Sequence, residues 1–111
     1  MLVSDIIAEA RIVSNDPNGV RWQTPSLIMW VNDFLDTLWH RQRSAFYVAA
    51  VITAQPAAMV LAGDPVPVLS TYKLAGAHFL CHRSFLNDSE ASENQELAKL
   101  HLSLFEKELG L

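Results

Sequence analysis

Four segments of this chain repeat apolar residues at helical spacing, and clusters of turn-forming residues separate them. The segments are residues 4–14, 25–42, 69–86 and 90–109. An apolar residue at every third or fourth position is typical of an α-helix that buries one face. Residues 15–19 (Asn-Asp-Pro-Asn-Gly) and 63–67 (Gly-Asp-Pro-Val-Pro) favour turns and extended backbone. The pattern predicts a mainly α fold, a small four-helix bundle, with residues 1–111 as a single helical domain.

The apolar stripes of the second and fourth segments supply the expected core. Thr24 and Pro25 open the second helix, because proline at a first helical position gives up only an N–H that would be unpaired anyway. Large aliphatic and aromatic side chains follow along one face of each helix. The residues expected in the core are Trp30, Val31, Phe34, Leu35, Leu97, Leu100 and Leu104.

The middle of the chain, residues 44–68, loses the helical period and is the variable part of the predicted fold. Val48, Val51, Ile52 and Thr53 are β-branched, which favours strands. Two short strands around Gln55-Pro56 therefore compete with a buried helix. We expect an irregular insertion or a short β-hairpin around residues 45–66.

Residues 44–63 also carry no charged side chain and are long enough to cross a bilayer, directly after Arg41 and Arg43. Against a membrane span, the stretch is rich in alanine, and Gln55-Pro56 lies near its middle. Proline interrupts a helix there and glutamine is costly in lipid. A small membrane protein that spans with residues 44–63 stays an alternative, and our expectation is a protein without a membrane partner.

The net charge of −4 is concentrated near the C-terminus, since residues 1–86 hold equal numbers of acidic and basic side chains. Nucleic-acid binders normally mass lysine and arginine on one face, and the chain has no such run.

Cys81 is the single cysteine, so an internal disulfide is impossible. The N-terminal residues lack the pattern of a secretory signal, which predicts synthesis in the cytoplasm.

The sequence contains few residue patterns that are typical of a catalytic, cofactor-binding or metal site. The four glycines lie far apart, so no glycine-rich loop can hold a phosphate, and we expect no cofactor. His78, Cys81 and His82 could share one helix face and hold a metal, but such spacing often arises by chance. Asp33 and Asp36 fit a solvated helix face better than an acid–base pair. The prediction is a protein that is not an enzyme, with no metal site.

A combination of short motifs at both ends of the chain resembles the head-tail adaptor proteins of tailed phages. The residues that carry the resemblance are Gly19-Val20-Arg21-Trp22, Trp30-Val31-Asn32-Asp33, Phe85-Leu86-Asn87-Asp88-Ser89-Glu90, Asn94, Leu97-Ala98, His101, Phe105 and Leu109-Gly110. Residues 44–68 depart from the family pattern. These motifs consist of capping and packing residues, which another helical bundle can also use.

The resemblance implies a virion protein at the head-tail junction, made in the host cytoplasm. It implies a ring of about twelve copies between a portal protein and a tail or nozzle protein, with DNA passing through the central channel. No catalysis is implied. The acidic C-terminal part agrees with DNA as passing cargo, because its charge repels phosphates.

Ten large aromatic side chains exceed what a core of this size readily hides, so part of the aromatic surface is expected to meet a partner. Arginine and aromatic residues near turns and after the second helix are the candidates, since such residues anchor many interfaces. The interface candidates are Arg21, Trp22, Arg41, Arg43, Phe46 and Tyr47. A helical regulatory or antitoxin-like dimer is a further alternative, which predicts a dimer and no large ring.

Overall fold

A computed structural model describes residues 1–15, 22–46, 54–88 and 92–110, and these form a mainly helical fold with four α-helices. The helices are α1 (Val3–Val13), α2 (Thr24–Arg41), α3 (Lys73–Asn87) and α4 (Ser92–Glu108). Short 3-10 turns at Arg43–Phe46 and Ser70–Tyr72 follow α2 and precede α3. The predicted mainly α fold with four helices is confirmed, and α3 begins four residues later than expected because its first turn is 3-10.

Helix α3 lies at the centre of the molecule and packs against α1, α2 and α4. Gly76 marks the closest approach. A Cβ atom added there would lie 3.0 Å from Cε2 of Phe34 in α2 and 3.1 Å from Cγ2 of Ile6 in α1. Three helices therefore meet at a position where a side chain larger than that of glycine would crowd Phe34 and Ile6.

An aromatic cluster joins α2, α3 and α4 in the core. The ring centroid of Phe79 lies 5.9 Å from that of Phe34 and 5.2 Å from that of Phe105, and Phe34 and Phe105 are 6.1 Å apart. All three side chains are at most 3 % exposed. Tilted and edge-on contacts of this kind stabilise a core beyond the area that they bury.

The expected core is confirmed in α2 and partly wrong in α4. Trp30, Val31, Phe34 and Leu35 are buried as expected. In α4, Leu100 is 51 % exposed, and Leu97 and Leu104 are only half-buried. The row that α4 buries against the other helices consists of Asn94, Ala98, His101 and Phe105. The sequence pattern placed the buried face of α4 on its leucines. The row that is buried lies on a neighbouring face and contains two polar residues, so it was not recognised as a core face.

The described part of the 45–66 insertion is irregular, and it contains no β-hairpin. Its only bridge of strand type pairs Pro65 with Leu2, outside the insertion. The segment instead runs along the start of α1, where the N–H groups of Val3 and Ser4 donate to the carbonyls of Asp64 and Ala62 at 3.0 and 2.8 Å. The β-branched stretch within residues 47–53 lies outside the described residues.

None of the helices in the described ranges is both long enough and apolar enough to cross a membrane. Within the 44–63 stretch, residues 54–63 form no helix.

Candidate interaction surface

A loop at residues 57–63 presents apolar side chains to solvent. Val60 is 71 % exposed and Leu61 is 64 % exposed, and these are two of the three most exposed large apolar side chains among the described residues. Ala57 and Ala58 beside them are exposed as well. Large aliphatic side chains grouped at a loop tip are typical of a contact surface when the backbone beneath them is fixed.

Asn32 of α2 fixes the middle of this loop. Its side-chain amide donates to the carbonyl of Met59 at 2.9 Å, and its side-chain oxygen accepts from the N–H of Met59 at 2.7 Å. One side chain thus satisfies both backbone groups of Met59, as a neighbouring β-strand would. The Met59 side chain packs on the core at the same time, so the loop is tied to α2 by two kinds of contact.

Asp64 fixes the tip. One carboxylate oxygen accepts from the N–H groups of Leu61 and Val60 at 2.9 and 2.8 Å. These two hydrogen bonds favour the charged form and lower the pKa of the Asp64 carboxyl below its ordinary value. The backbone carbonyl of Asp64 also accepts from Val3, so the tip is connected to the first turn of α1. Val60 and Leu61 therefore project from a loop with a defined conformation.

A shallow groove lies between the start of this loop and α2. Its volume is about 220 Å³. It is lined by Asn32, Leu35, Asp36, Phe46, Gln55, Pro56, Ala57, Ala58 and Pro67. The Gln55 side chain donates to a carboxylate oxygen of Asp36 at 2.9 Å across its rim. The groove is mostly apolar with an acidic rim, which suits a protein side chain better than a phosphorylated ligand.

Two of the six predicted interface residues form an exposed basic end of α2. The Arg43 guanidinium lies 4.3 Å from the centroid of the Trp39 ring, and its Nε donates to the Trp39 carbonyl at 3.2 Å. Arg41 lies 4.0 Å from the Glu106 carboxylate of α4, with both side chains more than 40 % exposed. Stacking on the Trp39 ring restricts the orientation of the exposed Arg43 guanidinium, and a planar guanidinium suits a carboxylate.

Two further candidates, Trp22 and Phe46, are buried in the described structure. Trp22 is 8 % exposed and packs edge-on against Phe85, with ring centroids 5.3 Å apart. Phe46 is 1 % exposed and packs against Trp39 in the same manner at 5.3 Å. Both rings pack within the chain and leave little surface for a partner, and their role in an interface stays a prediction. Arg21 and Tyr47 lie outside the described residues.

His78 of α3 and His101 of α4 form a buried pair. The Nδ1 atoms of His78 and His101 are 3.0 Å apart, and the His101 ring stacks on Phe85 at 5.6 Å. Burial lowers the pKa of His101 from 6.5 to about 4, helped by the nearby charges of His78 and His82, and burial also lowers the pKa of His78. Both rings are therefore neutral near pH 7 and share one hydrogen bond between helices.

His78, Cys81 and His82, which the sequence suggested as a group, each contact a neighbouring helix. His82 bonds to the Ala98 carbonyl at 2.9 Å, and the Cys81 thiol lies 3.5 Å from the Ala10 carbonyl. Burial raises the pKa of Cys81 to about 12, so the reactive thiolate is scarce. Within the described ranges, no three histidine, cysteine or acidic side chains are grouped to hold a metal ion.

The chain was compared with known proteins by family model, by sequence and by structure. No family model, curated protein or solved structure matches it. Its own geometry and the resemblance of its motifs are therefore the basis for a functional proposal.

Sequence reasoning missed the 57–63 loop. The run Ala57 to Ala62 is apolar, and apolar runs are normally assigned to a buried segment. A signal was present in Gly63-Asp64-Pro65, which forms a turn directly after the run and places it at a loop tip. Asn32 could have been singled out as a polar residue between Val31 and Phe34 of the core stripe, but its distant partner Met59 could not have been identified from spacing.

Proposed function

We propose that this chain is a structural virion protein, a head-tail adaptor that forms a ring between a portal protein and a tail or nozzle protein. The observation that carries the proposal is the fixed, exposed apolar loop, in which Asn32 and Asp64 hold Val60 and Leu61 outward. No catalytic role, cofactor or membrane partner is part of the proposal. DNA passes through the ring as cargo.

A loop of this kind supports docking to another protein for energetic reasons. Burying a valine or leucine side chain in an interface stabilises a complex by roughly 1.5–3 kcal/mol. The conformation of the tip is already fixed by the hydrogen bonds to Asn32 and Asp64, so little additional ordering is required on binding. In the isolated chain the same side chains bury only about a third of their surface, so they contribute little to its stability.

Asn32 belongs both to a motif that resembles the adaptors and to the contact that fixes the loop. This residue belongs to the Trp30-Val31-Asn32-Asp33 motif, in which the tryptophan and the valine are buried in the core. Asn32 reaches away from that core to the backbone of Met59. The motif therefore places a core anchor and a loop anchor on neighbouring residues of α2, which suits a family that presents a variable loop on a constant helical frame.

The exposed basic end of α2 supports a second contact. Arg41 and Arg43 are the expected polar anchors toward a neighbouring copy or the portal, and Trp39 holds Arg43 in place. A ring requires two different surfaces on each copy, one facing each neighbour. The loop tip and the basic end of α2 are two such surfaces, and they differ in chemistry.

The test is to mix the purified chain with a portal ring from the same genome and to image the product by electron microscopy. Added density with the rotational symmetry of the portal is expected for an adaptor. The chain alone is the control, because an adaptor can be small in solution and assemble only on the portal.

A portal ring that gains no density in the presence of the chain would contradict the proposal and favour the regulatory alternative. A dimer of the free chain would not by itself contradict it. A chain that requires detergent to stay in solution would contradict it as well and favour a membrane protein.

A further inference from the structure

Helix α4 carries a second row of residues beside the one it buries. Glu93, Leu97, Leu100, Leu104 and Lys107 follow one another at spacings of four, three, four and three residues. This is the spacing that keeps residues on one stripe of an α-helix that faces another helix. The stripe has an acidic first residue, three leucines and a basic last residue.

The stripe is accessible in the described structure. Leu100 at its centre is 51 % exposed, and Glu93 and Lys107 at its ends are exposed. Leu104 is half-buried, and Leu97 is half-buried and packs partly against the core. The core contact of α4 is made by the adjacent row through Ala98, His101 and Phe105, about 100° or more around the helix from Leu100. The stripe therefore lies on a side of α4 that is separate from its buried row. A further helix can pack there without displacing the contacts of that row.

The order of charges along the stripe makes it complementary to itself. Glu93 and Lys107 each lie seven residues from Leu100, on opposite sides. When a second α4 is laid antiparallel with its Leu100 against the first, Glu93 lies opposite Lys107 of the partner subunit at both ends. Leu97 then lies beside Leu104 of the partner subunit. A parallel arrangement would instead oppose Glu93 to Glu93 of the partner subunit and Lys107 to Lys107 of the partner subunit.

We propose that a second copy of this chain docks antiparallel along this stripe of α4, with Leu100 at the two-fold axis. Opposite charges at both ends select the antiparallel register, and three leucines from each copy form the apolar centre. The same patch serves both copies, so the contact closes at two. This is a pairing of the free chain and is distinct from the ring contacts proposed above, which use two different surfaces on each copy.

The length of the seam is sufficient because α4 is already folded. From Glu93 to Lys107 the stripe spans about 21 Å at the rise of an α-helix. An isolated helix pair of this length would be marginal, since each helix would have to form on association. Here α4 is held by α3 through the aromatic contact of Phe79 with Phe105 and the bond between His78 and His101.

The first test is sedimentation equilibrium of the full chain over a range of concentrations. The wild-type chain is expected to form a dimer, and Leu100→Glu to sediment as a monomer. Leu100 is half exposed, so the variant should keep its helical circular dichroism and, at concentrations low enough for the wild type to be monomeric, the wild-type unfolding midpoint. Lys99→Ala is the matched control, because its side chain is 77 % exposed and lies off the stripe. A wild-type chain that is monomeric at every concentration, or a dimer that Leu100→Glu leaves intact, would overturn the proposal.

Charge reversal tests the antiparallel register. Glu93→Lys and Lys107→Glu each place like charges together at both ends, and each is expected to weaken dimerisation about tenfold. The double variant Glu93→Lys/Lys107→Glu restores opposite charges at both ends and should dimerise as the wild type does. A double variant as weak as the single ones would contradict the antiparallel register.

Crosslinking locates the axis. Leu100→Cys is expected to give a covalent dimer with a short bis-maleimide, because the two copies of this residue face each other, whereas Lys99→Cys should give little. Equal yields for the two variants would overturn the placement. Adaptor function and this pairing are tested separately, since Leu100→Glu does not alter the loop at 57–63 and portal binding can be measured on that variant.

Discussion

Gly76 shows how one residue sets the distance between three helices. Its backbone lies against Phe34 of α2 and Ile6 of α1, both fully buried. A glycine within a helix costs about 1 kcal/mol relative to alanine. The close contact of α1, α2 and α3 compensates for that cost, so the residue is explained by packing and not by a turn.

Gly76→Ala is expected to destabilise the protein by about 1–3 kcal/mol, because the added Cβ would lie within 3.0 Å of the Phe34 ring in a filled core. Urea denaturation measures the change. Gly63→Ala is the control, since nothing lies within 4 Å of a Cβ at that exposed loop position. A stabilised Gly76→Ala would mean that helix propensity outweighs the crowding.

The His78–His101 pair makes stability depend on pH. The folded chain binds a proton at His101 only near pH 4, while the unfolded chain binds it near the ordinary pKa of 6.5. Between these values unfolding takes up a proton, so stability is complete above pH 6.5 and is lost as the pH falls toward 4. Glu108 and Glu9 act in the opposite direction on His78, but burial is the larger effect on its pKa.

We expect the free energy of unfolding of the wild type to decrease as the pH is lowered from 6.5 to about 4. His101→Gln keeps a hydrogen-bonding group for His78 and removes the titration, so its unfolding free energy should change less over the same range. His40→Gln, at an exposed position, should follow the wild type. Denaturation curves at a series of pH values decide this, and identical pH profiles for His101→Gln and the wild type would contradict the assignment.

At the scale of elements, the positions of the helices along the chain could be predicted from the sequence. The face that α4 buries could not. The periods of α1 and α2 agree with their buried faces because their stripes contain mostly large apolar residues, such as Ile6 and Phe34. The buried face of α4 includes Asn94 and His101. Asn94 bonds to the Asp88 carbonyl at the end of α3, and His101 bonds to His78. Such partners come from a neighbouring helix, so the spacing of apolar residues in α4 does not reveal them.

The loop at 57–63 was unpredictable for a related reason. Its conformation depends on Asn32, which is 27 residues away from Met59 along the chain. The sequence of the loop alone indicates only an apolar run that ends in a turn. The basic end of α2 was easier to predict, since Arg41 and Arg43 directly follow a long amphipathic helix.

Asn32→Ala is expected to release the loop while the helices remain folded. Two hydrogen bonds to Met59 are lost, which costs about 1–3 kcal/mol locally. Hydrogen–deuterium exchange should become faster at the amides of Met59, Val60 and Leu61 and stay unchanged in α3. His40→Ala, on the exposed side of the same helix, is the control. Unchanged exchange at these three amides would show that Asp64 alone fixes the tip.

At the scale of the whole molecule, the part of the chain that the structure describes has three distinct surface features. These are the apolar loop tip, the basic end of α2 and the leucine stripe of α4. The buried histidines and the buried cysteine of α3 form contacts with α1 and α4 and have shifted pKa values that keep them uncharged at neutral pH. These exposed features are the basis of the proposed assembly, in which the loop is the proposed main contact.

The most direct measurement is the affinity of the chain for a portal ring from the same genome, compared between the wild type and Val60→Ser/Leu61→Ser. The double variant alters only side chains that are more than 60 % exposed, so its stability should equal that of the wild type. Ile12→Ser, at a position of α1 that is 67 % exposed, is the control for a general loss of apolar surface. We expect the wild type and Ile12→Ser to bind equally and the loop variant to bind at least about tenfold more weakly. A wild-type chain that does not bind the portal, or a loop variant that binds as well as the wild type, would contradict the account.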